Sequence, residues 1–188
     1  IPEITLLDLT DPVMLRDIVS QLSTDRHYGV YYMRFPRKNA MAVYGDGGSF
    51  EIGKGNVLRD GSDVTIIASG IMVSEALEAA DALSRGGVFA RVVDMFTWKP
   101  VDEELIAKCA AETGAVVTAE NHNIVGGLFS AVSEVITARC PVPVQAVGIT
   151  DRFGQVGSER YLRAEYGLTS EHMAQSAHRA IERKRAVN

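Results

Sequence analysis

Four strand-length runs, residues 63–68 (DVTIIA), 89–96 (FARVVDMF), 115–119 (AVVTA) and 144–149 (VQAVGI), are almost uninterruptedly apolar. Longer stretches separate them and carry apolar residues at helical spacing: Val73, Ala76, Leu77, Ala80 and Leu83, then Leu105, Ile106 and Cys109, then Leu128, Val132, Val135 and Ile136. A strand that is apolar on both sides must be covered on both sides. The pattern therefore predicts an α/β domain, a mostly parallel sheet with helices on both faces. Local punctuation agrees. Gly86-Gly87 stops the first helix, and Asp102 caps the second with Glu103 and Glu104 in its first turn. A last helix starts at Thr169 or Ser170, with Met173, Ala177, Ala180 and Ile181 on one side.

The beginning of the chain is different. Residues 4–9 read as a short strand, Asp11-Pro12 as a helix start, Leu15, Ile18, Val19 and Leu22 as a helix face, and residues 29–35 as a second strand. A strand–helix–strand unit needs more sheet than it brings, so it is read as the partial remnant of a second α/β domain. Residues 36–62 carry Pro36, the Gly45-Asp46-Gly47-Gly48-Ser49 cluster, Gly53 and Gly55, with short extended pieces around 42–44 and 56–58. The division expected is a remnant over 1–37, a linker over 38–60 and a full domain over 61–188.

A length of 188 residues and 46% hydrophobic content suit one full domain and part of another, and a net charge of −5 disfavours a nucleic-acid surface. The basic tail Arg179, Arg183, Lys184 and Arg185 complements the dipole of a last helical turn. Cys109 and Cys140 have neither the spacing of a zinc site nor the density of a disulfide framework, so a reduced, cytoplasmic protein is expected. Neither a signal peptide nor an apolar run of membrane-spanning length is visible. The chain opens on Ile1 rather than Met, from which an upstream segment is expected.

Several groups could carry chemistry. Gly45-Asp46-Gly47 copies the start of a GDG…NN metal-diphosphate fingerprint, but it lacks the preceding buried strand and the Asn-Asn pair, so it reads as a turn. Gly126-Gly127 at a helix start offers backbone N–H groups for an anion, or simply lets loop and helix pack closely. His122, beside Glu120 but with no nucleophile at recognisable spacing, reads as a structural or interface hydrogen-bonding group. Asp94 and Glu120 end different strands, so only the tertiary fold decides whether they meet. Trp98, Lys99 and Pro100 read as a packed corner after a strand. Arg34 and Arg37 are the best candidates for substrate contact, since a guanidinium there can offer a planar fork to a phosphate. A surface salt bridge is the simpler reading of each. Metalloprotease, nucleophile-elbow and Walker motifs are absent.

Phe35-Pro36-Arg37-Lys38-Asn39 resembles the end of the pyrimidine-binding domain of transketolases and 1-deoxyxylulose-5-phosphate synthases. Residues 50–61 (FEIGKGNVLRDG), 63–70 and 93–100 are similar to the linker and early C-terminal domain of the same proteins, and 120–127, 151–157 and 162–168 extend the likeness almost to the end. The resemblance implies the C-terminal part of a thiamine-diphosphate-dependent transketolase, which moves a two-carbon ketol unit between sugar phosphates. It also implies that thiamine diphosphate and Mg2+ belong to the intact enzyme and are not expected on this segment alone. The activating glutamate would lie upstream of Ile1. Of the family's active-site residues only one maps here: Arg37, implied to hold the substrate phosphate, with no catalytic, cofactor or metal residue carried over. The implied partner is a diphosphate-binding domain or subunit, in a homodimer or heterotetramer, with the C-terminal domain supporting assembly through the loops around Glu120 and Asp151. A 1-deoxyxylulose-5-phosphate synthase fragment and a non-catalytic α/β assembly or regulatory module are the alternatives.

Overall fold

The computed structural model describes residues 1–24, 29–36 and 40–187. Strand β1 (Ile4–Asp8), helix α1 (Pro12–Thr24) and strand β2 (Val30–Arg34) form the first unit. Asp11 starts α1: its Oδ1 accepts from the backbone N–H of Val13 and Met14, each at 3.0 Å. Its Oδ2 accepts from Val43 and Tyr44 N–H and so clamps the connector against the helix start.

Then follow β3 (Asn56–Arg59), β4 (Val64–Ala68), α2 (Met72–Arg85), β5 (Ala90–Asp94), β6 (Thr97–Lys99), α3 (Glu103–Thr113), β7 (Val116–Asn123), α4 (Leu128–Arg139), β8 (Val144–Ile149), α5 (Glu159–Glu165) and α6 (Ser170–Val187). The larger sheet has the order β3-β5-β4-β7-β8, parallel except for the antiparallel edge strand β3. Ile66, Val92 and Val117 point towards α2 and α6, while Ile67, Val93 and Val116 point towards α3 and α4. Every residue of β4 is buried, which is why its sequence shows no polar face. Removing an isoleucine side chain there from water contributes about 2 kcal/mol. Asp102 caps α3 by accepting from Leu105 N–H at 3.1 Å, and Gly114 ends that helix in the left-handed region at φ 65°.

The extended piece expected around 56–58 is strand β3, which pairs with β5. Two local features depart from the sequence pattern. β7 runs on through Glu120, Asn121 and His122, because Asn123 still pairs with Ile149 after a shift in register. And β6, in the segment read as a corner, pairs antiparallel with β1, giving a second sheet of order β2-β1-β6. Met95 and Phe96 thus carry the chain from one sheet into the other. Leu7, Leu9, Met14, Ile18, Phe50 and Phe96 form the core beneath the smaller sheet.

Candidate functional site

The parallel strands of the larger sheet follow one another in the chain as β4, β5, β7 and β8, yet stand side by side as β5-β4-β7-β8. The winding direction reverses between β4 and β7, and sheets of this kind leave a crevice for ligands there, outside the carboxyl ends. β1 and β2 point their own carboxyl ends into this crevice. Asp8 Oδ2, at the end of β1, accepts from Ser69 Oγ just after β4 at 2.8 Å. Arg34, at the end of β2, donates through Nη2 to the backbone oxygen of Asn121 at 3.3 Å and to its Oδ1 at 3.2 Å. The Arg34 guanidinium also lies 3.8 Å from Asp8 Oδ2 and 5.4 Å from the centre of the Trp98 ring. What remains beside these groups is a cavity of about 40 Å³ lined by Asp8, Arg34, Phe35, Pro36, Ile71 and Asn121. A wider pocket of about 480 Å³ shares Pro36, Ile71 and Asn121 with it and continues along Ile149 and Leu162.

A second polar knot lies one strand over. Asp94, at the end of β5, is 0% exposed. Its Oδ2 accepts from Thr10 Oγ1 at 2.6 Å and from Tyr44 OH at 2.8 Å, while Oδ1 has no hydrogen-bond donor among the described residues. Burial pushes the Asp94 carboxyl up to about 7 against the pull of those two donors, and the charges of Asp8 and Asp11 push the same way. Burial also raises Asp8, opposed by Arg34 and Ser69. The Tyr44 hydroxyl is pushed upward by burial and by Asp94.

Glu120 shows how the helix start after β7 is used. It is fully buried, and its two carboxylate oxygens accept from Leu128 and Phe129 N–H, both at 2.8 Å. The anion at the N-terminus of α4 is therefore the chain's own. Gly127 is required there, because a Cβ at that position would overlap Glu120 Oε2 and the backbone oxygen of Asn123. Burial pushes Glu120 up to about 7, against the two N–H donors. Glu120 is thus turned inward rather than towards a partner. The loop after β8 is turned outward: Asp151 is exposed, and Phe153 is 98% and Val156 102% exposed.

Arg37 lies outside the described residues. His122 is exposed, with Nδ1 3.0 Å from the backbone oxygen of Asn123. Gly45, Asp46 and Gly47 form an exposed turn. Asp94 and Glu120 do not share a hydrogen-bonding partner; Asp8 lies near both and raises both. The residues that tie the seam together, Asp8, Thr10, Tyr44, Ser69 and Asn121, escaped sequence reasoning. The one signal for them was Asp8 itself, a charge inside an otherwise apolar strand. Among the described residues there is no group of three or more His, Cys, Asp or Glu placed to hold a metal ion. No helix among the described residues is long and apolar enough to cross a membrane.

A mixed α/β domain with a parallel-dominated sheet matches the fold of the transketolase C-terminal domain. The model of the transketolase C-terminal domain matches residues 53–173, and the chain belongs to the transketolase family. It is 44% identical over 184 residues to the 6-deoxy-6-sulfo-D-fructose transketolase subunit SqwH of Clostridium sp. (strain MSTE9), covering 98% of this chain and 56% of that protein. It is 39% identical over 190 residues to the 1-deoxy-D-xylulose-5-phosphate synthase of Heliobacterium modesticaldum (strain ATCC 51547 / Ice1), covering 99% of this chain and 29% of that protein. Among solved structures, a split-gene transketolase described as an inactive beta4 tetramer superposes with a TM-score of 0.93 at 41% identity, over 98% of this chain and 60% of that one. The chain therefore spans little more than half of the subunit and under a third of the synthase.

Proposed function

We propose that this chain is the C-terminal part of a thiamine-diphosphate-dependent transketolase, of the kind divided between two subunits, which transfers a two-carbon ketol unit between sugar phosphates. The observation that carries this reading is the similarity over 98% of the chain to a transketolase subunit, together with the same coverage of a split-gene transketolase. In this reading residues 1–37 end the pyrimidine-binding domain, 38–60 link, and 61–188 form the C-terminal domain. Arg37 holds the substrate phosphate. Thiamine diphosphate and Mg2+ are held by segments outside this chain, and the ylid chemistry they supply is the cofactor's own. The partner is a diphosphate-binding domain or subunit. The exposed Phe153 and Val156 give an apolar surface suited to assembly, as a dimer or a heterotetramer. Both cysteines are free, which suits a reducing cytoplasm.

The test is reconstitution. The whole protein, mixed with a diphosphate-binding subunit, thiamine diphosphate and Mg2+, is expected to transfer ketol units from a phosphorylated ketose. This chain alone is expected to be silent. Transfer by the chain alone, or none by the assembled enzyme with any phosphorylated ketose, overturns the reading. The 39% identity to a 1-deoxy-D-xylulose-5-phosphate synthase favours a second reading, and formation of 1-deoxy-D-xylulose 5-phosphate by the assembled enzyme would select it.

A further inference from the structure

The loop that follows β8 has its polarity reversed, because its polar groups bond within the chain and its apolar ones do not. Tyr166 OH donates to the backbone oxygen of Phe153 at 2.9 Å. Arg152 Nη2 donates to Glu165 Oε1 at 2.8 Å, and its guanidinium lies 5.2 Å from the centre of the Tyr166 ring. Gln155 accepts from Tyr161 OH at 3.2 Å, and Asn123 Nδ2 donates to Asp151 Oδ1 at 3.2 Å. These bonds tie the loop to α5 and to the end of β7, so its shape is set before anything binds. Phe153 is nevertheless 98% exposed and Val156 102%, with Val125 at 70% and Tyr161 at 48% beside them. Helix α5 buries none of its side chains. A loop braced in this way cannot tuck these groups beneath itself, so only another surface takes them out of water.

We propose that Phe153 and Val156, with Val125 and Tyr161 beside them, form an isologous contact with the same residues of a second copy of this chain. This rests on the assembly role proposed above for the loop and names its partner. A two-fold contact uses one patch, which must be complementary to itself. Charge meets that condition. Residues 151–165 hold three acidic groups, Asp151, Glu159 and Glu165, and three basic ones, Arg152, Arg160 and Arg163. The segment is thus neutral in a chain of net charge −5, so two such faces meet without repulsion and neither sign selects an oppositely charged partner. Area agrees. The two Phe153 side chains of such a pair withdraw about 400 Å² from water. Val125, Val156 and Tyr161 from each copy, with the polar rim around them, carry the total towards the roughly 1,200 Å² at which specific interfaces begin.

The experiment is sedimentation velocity on the whole protein without a diphosphate-binding subunit, over a concentration series, for wild type, Phe153→Asp, Val156→Asp and Phe89→Asp. Phe89 is 56% exposed but directly precedes β5, at the opposite end of the sheet. Wild type is expected to self-associate reversibly. Loss of a central aromatic contact weakens an interface about thirtyfold, and each residue occurs twice across a two-fold axis. Phe153→Asp is therefore expected to raise the dimer Kd about a thousandfold, Val156→Asp about a hundredfold, and Phe89→Asp no more than about twofold. Neither loop residue is buried within the chain, so both loop variants are expected to keep the wild-type circular dichroism. Should Phe153→Asp lose it, Val156→Asp decides alone. A wild type that stays monomeric at every concentration overturns the proposal. So does self-association that both loop variants leave intact, or that Phe89→Asp weakens equally. A second arm adds a diphosphate-binding subunit. If the loop variants self-associate normally but no longer bind that subunit, the subunit is the occupant: the proposal falls and the assembly role of the loop stands. If neither contact changes, both fall.

Discussion

Asp94→Asn removes the most deeply buried charge at the seam without changing its shape, and its effect on stability is expected to reverse sign with pH. The carboxyl is 0% exposed and sits at about 7 in the folded protein, against an ordinary value of 3.8. The gap of about three pH units corresponds to roughly 4 kcal/mol. Because the folded value is the raised one, the folded state holds a proton that the unfolded state has released. Stability from this group is complete below the ordinary aspartate range, falls as pH rises towards 7, and is flat above it. Asparagine carries no such dependence. Its Oδ1 can still accept from Thr10 and Tyr44, but its amide is placed where Asp94 Oδ1 finds no donor, and an unpaired buried N–H costs about 1–2 kcal/mol.

The variant is therefore expected to be about 1 kcal/mol less stable than wild type near pH 4, and about 2–3 kcal/mol more stable near pH 8. Urea unfolding of the chain at both pH values, with m unchanged between variants, measures this directly. Glu120 also sits at about 7, but it is present in both proteins, so the difference between them isolates Asp94 and its coupling to Asp8. If the two proteins keep parallel pH profiles, Asp94 does not titrate as its burial requires and the reasoning is refuted.

Three other substitutions test the local claims. Gly127→Ala is expected to cost more than about 2 kcal/mol, since the added methyl overlaps the Glu120 carboxylate, and a fall in Tm measures it. Glu120→Gln replaces one of two acceptors with a donor facing a backbone N–H, so chemical unfolding is expected to show a loss of about 2–3 kcal/mol. Asp102→Ala removes the cap of α3 and an acceptor for Gly55 N–H, with an expected loss of about 1–2 kcal/mol by the same assay.

The layers of the larger domain were legible because each rests on a local rule. β4 and β5 announce themselves as apolar runs, and Asp102 and Gly86-Gly87 stand where caps belong. Two short elements and the end of one strand were not legible. Thr97, Trp98 and Lys99 are too few to display a period, and they become a strand only because β1 offers them an edge. In β7 the polar residues Glu120 to Asn123 end the apolar pattern while the backbone pairing continues. The residues of α5 bury none of their side chains, so no apolar face marks that helix. The seam was hidden for a different reason. Thr10 and Asp94 lie 84 residues apart, and Tyr44 and Asp94 lie 50 apart, so no motif of fixed spacing could link them. Arg34 was legible as a notable arginine but not as one already engaged.

This topology offers a ligand two openings, and the chain occupies both with its own side chains. The switch-point crevice receives Asp8 and Arg34, and the free N–H groups of α4 receive Glu120. Each of these is a charged group drawn out of water and held by the chain's own partners, while Arg34 Nη1 finds no hydrogen-bond acceptor among the described residues. Such a seam resists sliding, because moving one sheet relative to the other would strand several buried charges at once. On that argument, substitutions at the seam are expected to loosen the first unit from the larger sheet before they disturb the core of either.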